Sequence, residues 1–191
     1  MADTAGFEDL MRRYNQRMFR ASRSVLRDDA EAEDAVQDAW VLAWRHLDQV
    51  EDPDRIGTWL TRIAIREAQA HARRVSRITP IEGSEERVST NPRNSPEQTA
   101  SDRATGRLIE RAIDSLPEQF RTVFVLRLVE ELSVEETADC LDISKETVKT
   151  RLHRARKRVA DRLILDGRPE VFAFDGARCD RIVAAVLGRI A

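Results

Sequence analysis

Leu132 to Arg158 read LSVEETADCLDISKETVKTRLHRARKR, a stretch with two marked helix starts and a tight turn between them. Ser133 and Ser144 each stand where an N-cap oxygen is needed, and Glu136 follows Ser133 at the spacing of a capping box. Asp142 lies at the turn, and Asp tolerates the left-handed conformation better than most residues. Two short helices joined in this way predict a helix-turn-helix. The second helix has one apolar stripe, formed by Val148, Leu152, Ala155 and Val159.

The second of these helices is strongly basic. From Lys145 to Arg162 eight basic residues oppose two acidic ones, a local charge of +6 in a chain whose net charge is -2. Positive charge concentrated on one helix of an otherwise acidic protein is typical of a surface that binds phosphate groups. The stretch therefore predicts a nucleic-acid-binding helix.

Composition narrows the class of protein. The chain has 191 residues, of which 41% are hydrophobic and 35% charged, with only 7 glycines, as is typical of a soluble helical protein. No run approaches the roughly 18 apolar residues of a membrane span, and residues 1–9 are acidic rather than signal-like, so we expect a cytoplasmic protein. Cys140 and Cys179 are far apart and lack a CxxC or a nearby His pair, which predicts neither a disulfide nor a zinc site. Cys140 is expected to pack as a small apolar side chain.

The chain contains no enzyme signature. It has no Gly-rich phosphate loop, no metal-ligand cluster and no nucleophile placed beside a base. We therefore expect no catalytic activity, no cofactor and no small-molecule substrate.

Hydrophobic periodicity predicts an all-α protein with two small helical domains. Three amphipathic helices run from Phe7 to Arg77, and a polar, proline-containing segment that follows predicts a flexible linker. Periodicity then resumes, and Pro117 is well placed as the first residue of a new helix. The predicted divisions are a first domain at 7–77, a linker at 78–101, a four-helix second domain at 102–166, and an extension at 167–191.

The extension contains one more amphipathic helix. Its apolar face must be covered, and we expect it to fold back onto the second domain, with Phe172 and Phe174 as anchors. A dedicated partner site is the alternative. The face is formed by Cys179, Ile182, Val183, Val186, Leu187 and Ile190.

Charge in the first domain is segregated by helix. Residues 28–54 contain ten acids and one arginine, a local charge of -9, whereas residues 55–77 carry +5. Solvated faces would explain both runs. The alternative is that these charges form binding surfaces. The acidic helix would then bind a basic protein, and the basic helix and the basic helix-turn-helix would bind nucleic acid.

Three motifs together resemble a bacterial sigma factor of the small extracytoplasmic-function type, in the sigma-70 family. They are AEDAVQDAWVLAWRHL (32–47), TWLTRIAIREA (58–68) and LPEQFRTVFVLRLVEELSVEETADCLDISKETVKTRLHRARKRV (116–159). The resemblance covers residues 7–165 and implies that the first domain is sigma region 2 and the second is sigma region 4. Such a protein binds core RNA polymerase, directs it to promoters and assists their melting, using binding energy alone.

The resemblance assigns roles to individual residues. Core packing is an alternative role for the two tryptophans of the acidic helix. The same holds for Trp59, whose implied role is to stack on separated bases beside a melted DNA strand. His153 is either a DNA contact or an ordinary surface residue, and Phe124, Leu128 and Val129 would receive the polymerase flap. The implied polymerase contacts and supports are Asp34, Gln37, Asp38, Trp40, Trp44 and Arg45. The implied DNA contacts are Arg62, Arg66, Arg73 and Arg74 near the minus-ten element, and Lys145, Lys149, Thr150, Arg151, His153, Arg154 and Arg158 near the minus-thirty-five element.

The implied partners are core polymerase, promoter DNA and an anti-sigma protein, without a membrane. Two other functions stay open at this stage. One is a helix-turn-helix regulator that acts without polymerase, and the other is a sigma-like decoy that sequesters an anti-sigma protein. The basic recognition helix argues against the decoy, and the acidic helix with LPEQFR (116–121) argues against the regulator.

Overall fold

The computed structural model describes residues 4–50, 52–78, 100–162 and 176–190, and these residues form helices and turns without a strand. The predicted all-α class is therefore confirmed. One compact unit contains the first three helices and the last one, and a second unit contains the other four. The helices are α1 Thr4–Leu26, α2 Asp29–His46, α3 Ile56–Ile78, α4 Ala100–Asp114, α5 Glu118–Phe124, α6 Val134–Leu141, α7 Lys145–Arg162 and α8 Gly176–Ile190.

In the first unit α1, α2 and α3 pack around one core, as the periodicity predicted. Asp28 caps α2, because its carboxylate accepts hydrogen bonds from the backbone N–H groups of Ala30 and Glu31, both at 2.9 Å. Gly57 permits the close approach of α1 and α3, since a Cβ there would lie 2.8 Å from the Tyr14 ring. The largest fully buried side chains of this core include Trp40, Phe7, Phe19, Met11, Met18, Leu60 and Ile65.

The C-terminal helix α8 packs on α1 and α2 of the first unit. Ile182, Val183 and Val186 are buried, so the predicted amphipathic helix is confirmed. Its predicted place on the second domain is wrong. The physical reason is charge complementarity. Helix α8 carries three arginines, and they form ion pairs, described below, with carboxylates of α2.

The second unit contains α4 to α7 and confirms the helix-turn-helix. Ser133 and Glu136 form both hydrogen bonds of the capping box, and Ser144 Oγ accepts from Thr147 N at 3.1 Å. Asp142 ends α6 in the left-handed conformation, with φ 55° and ψ 47°. Between α5 and α6, residues 125–129 form a π-helical turn. The shared core is formed by Val123, Ala138, Val148 and Leu152.

Some predictions fall on parts of the chain that the structure does not describe. Most of the predicted linker lies outside the described residues, although Ile78 ends α3 and residues 100–101 already belong to α4. Phe172 and Phe174, the predicted anchors, also lie outside them. Among the helices that are described, none is both long and apolar enough to span a membrane.

Candidate functional surfaces

The acidic face of α2 is one candidate surface. Asp34, Gln37 and Asp38 follow each other at i, i+3 and i+4, which places them on one side of the helix. Asp34 is exposed, and within the described residues it has no ion-pair partner. Asp38 is already engaged, because Arg189 Nη2 donates to its Oδ1 at 2.8 Å and Arg74 Nη2 lies 3.7 Å from its Oδ2.

The two tryptophans of α2 differ in exposure. Trp40 is fully buried, its ring meets Phe7 edge to face at 5.4 Å, and its Nε1 donates to Asn15 Oδ1 at 2.6 Å. Trp44 is half-buried and lies 4.7 Å from the same Phe7 ring. Trp40 therefore packs in the core, which agrees with the core-packing alternative, and it supports the acidic face from within. Arg45 is exposed near the end of the helix.

The basic side of α3 brings together part of the predicted DNA-binding set. Arg66 and Arg73 are exposed, whereas Arg62 is half-buried. The Nε of Arg62 is buried and has no hydrogen-bond partner among the described residues. Arg74 lies at the end of the series and faces Asp38. Trp59 is half-buried, and packing accounts for much of its surface.

Helix α7 turns its apolar stripe inward and its polar side outward. Val148, Leu152 and Ala155 are buried. Lys145 pairs with Glu135, whose pKa this hydrogen bond lowers below its usual value, and Lys149 Nζ lies 2.9 Å from Glu146. The residues on the accessible side are Lys149, Thr150, His153 and Arg154, with Arg151 half-buried beside them.

The LPEQFR motif (116–121) holds the second unit together. Leu116 and Phe120 pack with Ala155 of α7, and the Arg158 guanidinium lies over the Phe120 ring at 5.3 Å. Arg121 is only 3% exposed, and its Nη1 donates to the carbonyl oxygens of Asp114 at 3.2 Å and Leu116 at 2.7 Å. The motif thus fixes the position of α7 against α5.

Sequence reasoning missed the buried polar groups that connect α8 to the first unit. Asn15 accepts a hydrogen bond from Trp40 and directs its Nδ2 toward Cys179 Sγ at 3.3 Å. Arg178 is 6% exposed and lies against acidic residues of α2. One signal was present, because Asn15 interrupts the inward stripe of α1 between Met11 and Met18.

Comparison with known proteins identifies the two units. Residues 10–78 match the family model described as Sigma-70 region 2, and residues 106–159 match Sigma-70, region 4. The RNA polymerase sigma-E factor of Streptomyces coelicolor is 30% identical over 166 residues, which cover 86% of this chain and 89% of that protein. The chain is an extracytoplasmic-function sigma factor. The corresponding sigma-E factor of Escherichia coli is 30% identical over 170 residues, covering 84% of this chain and 88% of that protein.

Other relatives agree on the family and on the fold. SigE of Mycolicibacterium smegmatis is 31% identical over 159 residues, which cover 82% of this chain and 61% of SigE. The structure of CnrH in complex with the cytosolic domain of CnrY is similar with a TM-score of 0.61 and 26% identity, covering 87% of this chain and 92% of CnrH. The sigma factor RpoE of Bartonella quintana, in complex with the anti-sigma factor NepR, has the same fold at 23% identity and a TM-score of 0.62, covering 84% and 94% of the two chains.

The family matches divide the sigma factor along its helices. Region 2 spans α1 to α3, and region 4 spans α4 to α7. Helix α8 lies outside both matched ranges. A member of this family directs core RNA polymerase to promoter DNA.

Proposed function

We propose that this sigma factor holds core RNA polymerase through the acidic face of α2 and reads promoter DNA through α7 and the basic side of α3. The observation that carries the proposal is the segregation of charge, because the exposed carboxylate of Asp34 lies among half-buried carboxylates on α2, whereas exposed cations lie on α3 and α7. A basic protein surface and two DNA elements are the partners that such an arrangement complements.

The proposed polymerase contact is centred on Asp34. This carboxylate is exposed and lacks an ion-pair partner within the described residues, so a basic partner reaches it without displacing a side chain. Gln37 and Asp38 adjoin it on the same face. Trp40 acts beneath this face by packing, and Trp44 and Arg45 border it.

The proposed minus-thirty-five contact is the outer side of α7. A helix whose inner stripe is fully packed presents its other side to the major groove, where arginine, lysine and hydroxyl side chains meet base edges and phosphates. Lys149, Thr150, His153 and Arg154 are accessible in this way. Lys145 and Arg158 are engaged with Glu135 and Phe120, so they are suited to phosphate contacts at the margins.

The proposed minus-ten contact is α3. Arg66 and Arg73 are exposed cations, which suits phosphate binding, and Arg62 lies half-buried on the same helix. Energy from these contacts favours the melted promoter, so we assign no chemical step to the protein. Since polymerase and promoter DNA are its partners, we infer a cytoplasmic location.

An anti-sigma protein is a further proposed partner. Two similar structures, of RpoE and CnrH, are complexes, and that of RpoE is with an anti-sigma factor. We infer that a comparable protein restrains this sigma factor.

The test of the polymerase contact is a charge reversal at Asp34. We expect Asp34→Arg to weaken retention on immobilised core polymerase strongly, because a cation would then face the basic partner. Asp48→Arg is the matched control, since Asp48 is also exposed and follows α2 in the same unit. Equal retention of Asp34→Arg and wild type would contradict the proposal.

A transcription assay separates this function from the two other readings. Run-off transcription from a genomic library, with core polymerase and this protein, should yield a discrete set of promoters. A decoy or a polymerase-independent regulator would yield none above the level of core polymerase alone.

A further inference from the structure

The groove between α1 and α2 receives a basic amphipathic helix, and α8 is the occupant that the structure shows. The apolar side of α8 is inserted, with Ile182 and Val186 fully buried and Val183 nearly so. The polar contacts lie on both flanks of this stripe. At the α1 side, Arg12 Nη1 donates to Asp180 at 2.8 Å, a hydrogen bond that raises the pKa of Arg12.

On the α2 side, α8 pairs with three carboxylates along the helix. Arg178 reaches Asp29 and Glu33, Arg181 also reaches Glu33, and Arg189 reaches Asp38. The donor–acceptor distances all lie between 2.8 and 2.9 Å. The helix therefore runs along the acidic side of α2 and ends at one of the three residues of the proposed polymerase contact.

Arg178 is the anchor of this contact. It is 6% exposed, its guanidinium lies 4.1 Å from the centre of the buried Phe19 ring, and it donates to both Asp29 and Glu33. A buried arginine held by an aromatic ring and two carboxylates marks a recognition pocket rather than a solvated surface pair. The pocket selects a basic side chain on a helix.

We propose that this groove is a docking site for a basic amphipathic helix, that α8 fills it in the free sigma factor, and that the filled site competes with core polymerase for α2. The competition arises at Asp38, which Arg189 already neutralises, and at Asp29 and Glu33, whose charges Arg178 and Arg181 already neutralise, so α2 attracts a basic partner less. The inference rests on the proposed polymerase contact at Asp34, Gln37 and Asp38. Polymerase then binds tightly only the fraction of molecules in which α8 has left.

A disulfide lock tests the inference in the full-length chain. Asn15 Nδ2 contacts Cys179 Sγ at 3.3 Å, so Asn15→Cys introduces a second thiol on the side of α1 that faces the native one, while Cys140 is buried in the other unit. We expect the oxidised variant, with its thiol loss verified, to bind core polymerase about tenfold more weakly than the same variant after reduction. Asn15→Cys combined with Cys179→Ser is the control, and oxidation should leave its affinity unchanged. Equal affinity of the locked and reduced forms would overturn the inference.

Surface variants that weaken the α8 contact also test the inference. They should raise the affinity for core polymerase, and they do not depend on the disulfide. Arg189→Ala, which removes only an exposed partner of Asp38, should raise the affinity for core polymerase by about threefold to tenfold. Arg13→Ala is the matched control, because Arg13 is an exposed cation of the same unit that lies beside Tyr14. Unchanged or weaker binding of Arg189→Ala would reject competition by α8. The Asp34→Arg variant separates the two proposals: if it leaves binding unchanged, the polymerase contact itself is wrong, whereas weakened binding together with a silent lock rejects only the role of α8.

Discussion

At the scale of single residues, two side chains with conspicuous sequence positions serve the interior. Arg121 belongs to LPEQFR (116–121), and the structure uses it to satisfy carbonyl oxygens at the end of α4. Trp40 belongs to the acidic helix and is fully buried against Phe7. A residue of a family motif therefore need not contact a partner. It can instead pack in the interior and stabilise the helices that form the contact surface.

Arg121→Ala should destabilise the second unit by about 1 to 3 kcal/mol, since two buried acceptors would lose their donor. Chemical denaturation measures this with two signals. All three tryptophans, Trp40, Trp44 and Trp59, belong to the first unit, so fluorescence follows that unit, whereas circular dichroism follows both. Only the circular-dichroism transition should shift.

The exposed Arg111→Ala is the control for this change, and it should leave both transitions in place. A shift of the tryptophan transition in Arg121→Ala would show that the guanidinium has a different structural role.

At the scale of elements, the two opposite faces of α7 have different roles. Its inner stripe of Val148, Leu152 and Ala155 closes the core of the second unit, and its outer side carries the cations. The helical period assigns each residue to one task, since neighbours three or four apart share a face. The stripe thereby fixes which side chains are available to DNA.

Arg154→Ala should weaken binding to promoter DNA by about 1 to 3 kcal/mol if Arg154 meets a base edge, and should relax sequence preference at that position. The measurement is a titration of holoenzyme with promoter DNA at several salt concentrations. Arg156→Ala removes the same charge from the same helix and should reduce affinity for all sequences to a similar extent. Unaltered promoter selection by Arg154→Ala would contradict the base contact.

At the scale of the whole molecule, the last helix completes the first unit, although the second unit lies between them in the chain. Its buried residues are part of the core that α1 and α2 share with it. The stability of the first unit therefore depends on both ends of the sequence.

Ile182→Ala should destabilise the first unit by about 2 to 5 kcal/mol, because Ile182 is fully buried and its truncation leaves a cavity. The tryptophan fluorescence transition measures this effect directly. Leu187→Ala is the matched control, since Leu187 is only half-buried on the same helix and should cost less. A tryptophan transition that stays in place would contradict the packing of α8 on the first unit.

The sequence by itself determined the local structure and the family. Capping residues such as Ser133, the helical period of the apolar stripes and the segregation of charge act over a few residues, so they are legible without coordinates. Tertiary structure decided where α8 docks and which carboxylates of α2 are already paired. Periodicity shows that a helix has a face to cover but not what covers it, since that choice depends on complementarity with residues such as Asp29 and Glu33, about 150 positions away in the chain.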